Sequence, residues 1–389
     1  MTSQAVFDVA VIGSGLHGLS AALHLARAGR RVVVLERAWA GRHASGASAA
    51  GVRTLNRDLR ELDLSLEAME MWHSIASLVG DDCGFHAHGQ ICVAEDAASL
   101  SKLEAHVADL NARGYTHEAL IDAKELRRRV PAISPHCVGA SIAADNGAAD
   151  PHRTLAAFRR SAQAAGVVIR EGCGVRGIAR CGSDWAIDMD PTANGADQQA
   201  GSLVVPAVVN TAGAWGARIA AMVGDTIALG TKASMMIVSE RIAPMIEPVV
   251  SIMGRPLSFK QSDQGTLVIG GGLQGVPDLD RETAEVRMGV LCKGARAATD
   301  LFPCVRDVRI VRVWSGLEAR TADMLPVIGP AKNAPGVFHA FGYSGHGFQL
   351  APVVGAALAD LIVHGSTRRA IAALSAHRLM VVPPSEVCA

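Results

Sequence analysis

A chain of 389 residues is long enough for two domains with sizeable cores. Its 49% hydrophobic and 19% charged residues exclude a disordered chain. Its 37 basic and 37 acidic residues balance, which argues against a surface for nucleic acid or an anionic membrane. The cysteines form no C-x-x-C pair and no regular framework, and no basic leader precedes the apolar start. The expectation is therefore reduced thiols in a cytoplasmic protein. No uninterrupted apolar run reaches the ~18 residues of a membrane span. The longest, residues 350–363, is broken by Asp360 and reads as a core helix, so no span is expected.

Residues 7–12 (FDVAVI) are apolar without alternation, the pattern of a strand buried on both faces. They enter Gly13-Ser14-Gly15-Leu16-His17-Gly18, a full G-x-G-x-x-G, and a helix-like segment follows to Arg27, with Gly29 placed as its C-terminal cap. A second buried strand, residues 31–35, ends at Glu36. This is a dinucleotide-binding βαβ unit in its required order. Gly13 makes the tight turn, Gly15 admits a pyrophosphate, and Gly18 allows helix to pack on strand. Glu36 lies roughly 20 residues past the glycines, where an acid binds a ribose hydroxyl.

Residues 41–53 (GRHASGASAAGVR) are too small and glycine-rich for an ordinary helix and suit a loop lying against a flat ligand. A helix is expected over 57–79, a strand over 85–93, a helix over 97–112, and another ending before Pro131. Asp150-Pro151 opens a helix to Ala165, followed by strands at 167–170 and from Val175. Residues 190–201 read as a hairpin loop and 203–210 as one buried strand, which leads into Thr211-Ala212-Gly213-Ala214-Trp215-Gly216 and a helix over 217–223. Shorter strands are expected over 228–312, with one helix near 281–298. Residues 336–340 then enter Gly342-Tyr343-Ser344-Gly345-His346-Gly347, ahead of the helix from Leu350.

Nucleotide-type segments thus stand at both ends and in the middle, separated by β-rich ones. The fold class is α/β plus α+β: a Rossmann-like dinucleotide-binding domain with a discontinuous β-rich substrate domain. The first is expected over 1–84, 145–225 and 313–389, and the second, a cap, over 85–144 and 226–312.

Four segments in order, the first glycine turn, 208–216 (VVNTAGAWG), 312–330 (RVWSGLEARTADMLPVIGP) and 342–352 (GYSGHGFQLAP), resemble the flavin-dependent D-amino-acid oxidase superfamily. That family includes sarcosine, glycine and D-amino-acid oxidases. Residues 257–272 resemble most closely the β-type catalytic subunits of hetero-oligomeric sarcosine oxidase and of opine, proline and hydroxyproline dehydrogenases. The resemblance implies FAD, bound by Gly13, Gly15, Leu16, His17, Gly18, Glu36 and Arg37, and by the loop His43, Ala44, Ser45, Gly46, Ala47 and Ser48. It adds Val175, Ala212, Gly213, Trp215 and Gly316, then Gly342, Ser344, Gly345, His346, Gly347, Phe348 and Gln349. Gly316 and Ser48 fall near the positions of the usual attachment cysteine and histidine, so non-covalent FAD is expected. Independently of the resemblance, backbone N–H groups at a helix N-terminus stabilise the negative charge of a reduced flavin, and the turn at 342–347 supplies them.

The implied reaction is oxidation of the C–N bond of an amino acid or amine by hydride transfer from carbon to flavin N5, with the neutral amine as the reacting form. The alternatives are a self-sufficient oxidase releasing peroxide, a 2-hydroxyacid dehydrogenase, and a non-catalytic flavoprotein subunit. Single-chain sarcosine oxidases carry an oxygen-activating lysine that aligns with Val268 and a carboxylate-binding lysine that aligns with Gln349. The first departure favours a dehydrogenase that passes electrons to a redox partner subunit. Arg53, Lys260, Arg320, Tyr343 and His346 are the candidate catalytic side chains. His86-x-His88 places two imidazoles on one face of a strand, but with no third ligand no metal site is expected.

Overall fold

The computed structural model describes residues 7–190 and 201–380. Strand Val9–Ile12 lies inside a six-stranded sheet, between Ala207–Asn210 and Val32–Leu35 and parallel to both. Val168–Arg170 extends the sheet at one edge; Val337–Phe341 and the antiparallel Val327–Pro330 extend it at the other. Val9, Val11, Val32 and Val34 point into a core shared with helices Leu16–Arg27, Leu59–His73, Pro151–Ala164 and Gly347–His364. Ala10, Ile12, Val33 and Leu35 point the other way, against Trp185 and Ile187 of a three-stranded antiparallel sheet. Burial on both faces is why these strands carry no polar alternation.

Helix Gly347–His364 is long and apolar enough to cross a membrane. It is the core helix of this layer, with residues 349–359 all buried. It crosses helix Leu16–Arg27 so closely that a Cβ on Gly355 would stand 2.2 Å from Ser20 Oγ. Asp58, Asp96 and Asp150 each cap a helix by accepting a backbone N–H, and Pro151 opens its helix as expected.

The second layer is an eight-stranded sheet. In spatial order it runs Ile310–Arg320, Gly230–Arg241, Thr266–Gly270, Arg255–Gln261, Val249–Ile252, Gln90–Ala94, Gly139–Ala143 and Ala119–Asp122. Helix Met288–Leu301 closes its core, where Phe259 stacks on Phe302 at 4.4 Å between ring centres.

Several expectations need correction. The strand expected over 85–93 begins only at Gln90, because Gly89 takes a left-handed φ of 92° and residues before it make a single bridge, His86 to Ala148. The helix over 57–79 breaks at Ser74 into Leu59–His73 and Ile75–Val79. The single strand over 203–210 is two strands, Ser202–Val205 and Ala207–Asn210, and the chain changes sheets at Pro206, which has no N–H to continue a ladder. The helix near 281–298 lies at Met288–Leu301, after a short strand Thr283–Glu285. The strands over 228–312 are not all short: Gly230–Arg241 has 12 residues, and Ile310–Arg320 runs across the 312/313 boundary. The loop expected over 190–201 lies almost wholly outside the described residues.

Candidate functional site

The two parallel strands Val9–Ile12 and Ala207–Asn210 end side by side, and the turns that follow them lock together. Gly13 has φ 100°, and a Cβ there would stand 2.7 Å from the Thr211 carbonyl oxygen. A Cβ on Gly18 would lie 1.9 Å from the Gly13 carbonyl oxygen, so any side chain there would push the helix off the turn. The Thr211 hydroxyl donates to the carbonyls of Ile12 and Gly13 at 2.9 and 3.1 Å. At the end of the next strand, the Glu36 carboxylate accepts from the Ser14 N–H, the Ser14 hydroxyl and the Ala38 N–H at 2.8, 3.0 and 2.9 Å. The Ser45 hydroxyl reaches the helix N-terminus, accepting from the Leu16 N–H at 2.9 Å.

These groups line one end of a continuous cavity of about 710 Å³ between the two large sheets. A hairpin of Val276–Asp278 and Thr283–Glu285 borders this end. Glu282 in its turn faces Arg37, Arg42 and His43 at 3.1, 3.8 and 3.7 Å, and Asp280 pairs with Arg218 at 2.6 Å. Trp215 lies beneath, with the Arg37 guanidinium over its ring and its Nε1 donating to the Leu279 carbonyl at 3.3 Å. Burial, reinforced by the charge of Arg42, holds the His43 imidazole down to about 4, so it is neutral near pH 7. Trp314 donates to the Ala47 carbonyl at 3.0 Å, tying the 41–53 loop to the eight-stranded sheet.

At the far end stands the turn before helix Gly347–His364. Ser344 and Gly345 there have φ of 55° and 102°. Tyr343 stacks on His17 at 3.7 Å, so the turns from opposite ends of the chain meet. The His17 nitrogens and the Tyr343 hydroxyl are buried without a partner among the described residues. Burial holds His17 down to about 3 and raises the Tyr343 phenol. Behind the turn lies a buried charged cluster. His346 Nδ1 is 2.9 Å from Glu61 Oε1, and Arg57 is 3.4 Å from both Glu61 and Gln349. Burial, reinforced by Arg57, pushes His346 down to about 4, and burial pushes Arg57 down to about 9. Burial works to raise Glu61, but His346 and Arg57 outweigh it and hold its carboxyl below the ordinary range. At neutral pH the cluster is therefore an anionic Glu61 held between arginine and a neutral imidazole.

Most of the sequence-derived residues meet in this cavity. Its lining includes Gly13, Gly15, Leu16, His17, Glu36, Arg37, His43, Ala44, Ser45, Ala47, Ser48 and Arg53. Val175, Ala212, Gly213, Trp215, Gly316, Gly342, Tyr343, Ser344, Gly345, His346, Gly347 and Phe348 line it too. Gly18 and Gly46 act behind the lining, where each packs against a backbone carbonyl. Three side chains belong elsewhere. Gln349 is buried under the helix, where its amide donates to the Ser65 carbonyl at 2.7 Å. Lys260 lies outside the lining, with Nζ 3.4 Å from the Ala149 carbonyl, and burial lowers its ammonium to about 8. Arg320 is exposed at a strand end. Sequence patterning alone missed Lys232, Ser234 and Glu318, which line the cavity from the eight-stranded sheet. The signal was present: Lys232, Ser234 and Met236 alternate with the buried Ala233, Met235 and Ile237.

Two glycine-lined helix N-termini opening on one cavity at the ends of parallel strands mark a dinucleotide-binding protein. The chain belongs to the FAD dependent oxidoreductase family, whose model matches residues 8–361. It is 27% identical over 355 residues to one of the subunits of opine oxidase from Agrobacterium tumefaciens, covering 87% of this chain and 89% of that one. It is 24% identical over 366 residues to the beta subunit of sarcosine oxidase from Rhodobacter capsulatus, covering 92% and 85%. Among solved structures, L-proline dehydrogenase from P. horikoshii superposes with a TM-score of 0.87 at 24% identity, covering 96% of this chain and 97% of that one. The chain is thus an FAD-dependent oxidoreductase of the amino-acid oxidase and dehydrogenase type. The site fits FAD: the cradle rejects side chains at Gly13 and Gly18, and Glu36 stands beside the first helix N-terminus.

Glu36→Ala removes a carboxylate whose charge-assisted hydrogen bonds are each worth about 1.5–3 kcal/mol. We expect FAD affinity to fall at least tenfold, read as flavin content after extensive dialysis. Unchanged content would make Glu36 a brace for Ser14 and Ala38 and nothing more.

Proposed function

We propose that this chain oxidises the C–N bond of an amino acid or secondary amine of the opine, sarcosine or D-proline type, as the catalytic subunit of a dehydrogenase complex. The observation that carries this reading is one cavity that joins the dinucleotide cradle to a polar wall of the eight-stranded sheet. The likeness to the opine oxidase and sarcosine oxidase subunits supports the substrate class and the presence of a partner.

When bound, FAD supplies a two-electron acceptor for the hydride that leaves the carbon beside nitrogen. The chain's own residues bind, orient and enclose. Backbone amides at the Gly347 helix N-terminus favour negative charge developing at the cofactor edge they face. Ser48 and Gly316 offer no thiol or imidazole for attachment, consistent with FAD held without a covalent bond. His346, neutral and 2.9 Å from Glu61, orients the turn rather than titrating near pH 7. The amine must lose its proton before the hydride leaves, and the imine product hydrolyses in water, so no strong acid–base pair is required.

Flavin bleaching under nitrogen tests the substrate class. Amino acids or secondary amines should bleach the holoenzyme and 2-hydroxyacids should not. Bleaching by hydroxyacids alone rejects the reading, and bleaching by neither panel, with dithionite still effective, makes the chain a non-catalytic flavoprotein subunit.

A second reading, a self-sufficient oxidase, draws on one observation: the Lys232 ammonium lines the cavity, where a fixed cation stabilises superoxide as it forms. Against it, Val268 and its cross-strand neighbour Lys260 both lie outside the lining. The purified chain should turn over faster with an artificial dye under nitrogen than with oxygen in air. Peroxide formation in air at the dye rate would overturn the dehydrogenase assignment.

A further inference from the structure

The cavity is lined by five lysine or arginine side chains, and four of them are already matched. Arg37 and Arg42 face Glu282, and Arg218 pairs with Asp280. Arg53 donates to the Leu55 carbonyl and has the charges of Glu61 and Glu118 nearby. Lys232 is different: its Nζ donates to the neutral carbonyl of Ser344 at 3.1 Å. Directly across the strand pair, in register with it, stands Glu318. One Glu318 oxygen accepts from the Ser234 hydroxyl at 3.0 Å. Paired residues of adjacent antiparallel strands share a face, yet these opposite charges each bond a neutral oxygen rather than one another. Both converge on the turn before the Gly347 helix: a Cβ on Gly345 would lie 3.9 Å from Lys232 Nζ and 3.9 Å from Glu318 Oε1.

We propose that Lys232 and Glu318 form a two-charge clamp for a zwitterionic amino acid, Lys232 holding its carboxylate and Glu318 its amine in the ammonium form. The proposal rests on the amine-oxidation reading above and names the side chains that select its substrate. A partly desolvated cation and anion kept apart in a cavity are satisfied by a ligand that carries the complementary pair. A 2-hydroxyacid leaves Glu318 facing a hydroxyl, and an amine without a carboxylate leaves Lys232 unpaired, so each is bound less well. The clamp also assigns the carboxylate site that neither Gln349, buried beneath its helix, nor the exposed Arg320 provides. Before the hydride leaves, the ammonium gives its proton to water, and the neutral amine stays beside Glu318.

The test uses the holoenzyme with propionate and its neutral counterpart propionamide, followed by flavin absorbance. Wild type should bind propionate at least tenfold more tightly than propionamide. Lys232→Met should bring propionate down to the propionamide level with FAD content unchanged, and Lys232→Arg should restore at least part of the difference. Glu318→Gln should leave propionate binding intact while raising KM at least tenfold for the amino acid that bleaches the flavin best. Equal binding of propionate and propionamide by wild type, or an unchanged propionate affinity in Lys232→Met, overturns the proposal. So does loss of FAD from Lys232→Met, which would make Lys232 a cofactor ligand, or an unchanged KM in Glu318→Gln. If no amino acid or amine bleaches the wild-type flavin, the parent reading fails and the clamp with it. Bleaching with unaltered propionate binding in Lys232→Met rejects the clamp alone.

Discussion

The cofactor cradle hangs on the contact between two turns that are about two hundred residues apart in sequence. Gly13 lies against Thr211, Gly18 lies against Gly13, and the Thr211 hydroxyl bonds both carbonyls of the first turn. Because strands Val9–Ile12 and Ala207–Asn210 are parallel neighbours, this contact fixes where the first helix begins. The third turn, at residues 342–347, is drawn in by a parallel strand on the far side of Ala207–Asn210 and by the stacking of Tyr343 on His17. A buried chain of Asn210, His339 and Asp225 links these strands from within, with His339 3.3 Å from Asn210 and 3.2 Å from Asp225. Burial works to raise Asp225, but its hydrogen bonds to His339 and to the Lys332 and Asn333 amides keep its carboxyl low. The cofactor cradle is therefore set by packing of the sheet.

The eight-stranded sheet supplies what the six-stranded sheet cannot. A parallel sheet buried on both faces has no side chains to spare for recognition. The eight-stranded sheet, antiparallel except where Val249–Ile252 pairs with Gln90–Ala94, has its main core on one face, and polar side chains on the other close the cavity. The two layers are joined at named points, Trp314 to the Ala47 carbonyl and Lys232 to the Ser344 carbonyl, while Trp215 holds the small hairpin through the Leu279 carbonyl. Each of these bonds ends on a backbone carbonyl, so it does not depend on the acceptor's side chain.

The sequence made the cradle legible because its rules are local. A glycine turn between a buried strand and a helix, an acid at the next strand end, and Asp150-Pro151 at a helix start each declare themselves within a few residues. The recognition wall was not legible for the same reason. Whether Lys232 or Lys260 faces the cavity depends on strand register, and Glu318 meets Lys232 only through pairing across 86 residues of chain. Arg320, singled out in its motif, sits one strand step too far and ends at the surface. Periodicity could not find the break at Pro206 either, since strands in both the three-stranded and the six-stranded sheet bury apolar residues on either side of it.

The central claim, that interlocked turns cradle FAD while the eight-stranded sheet faces its reactive ring, is tested most directly by a crystal structure of the holoenzyme. A ribose should lie against Glu36, the pyrophosphate beside Gly15 at the first helix N-terminus, and the flavin ring between the 345–347 turn and the wall bearing Lys232 and Glu318. A ring lodged away from that wall, or a pyrophosphate remote from the first helix N-terminus, would contradict it.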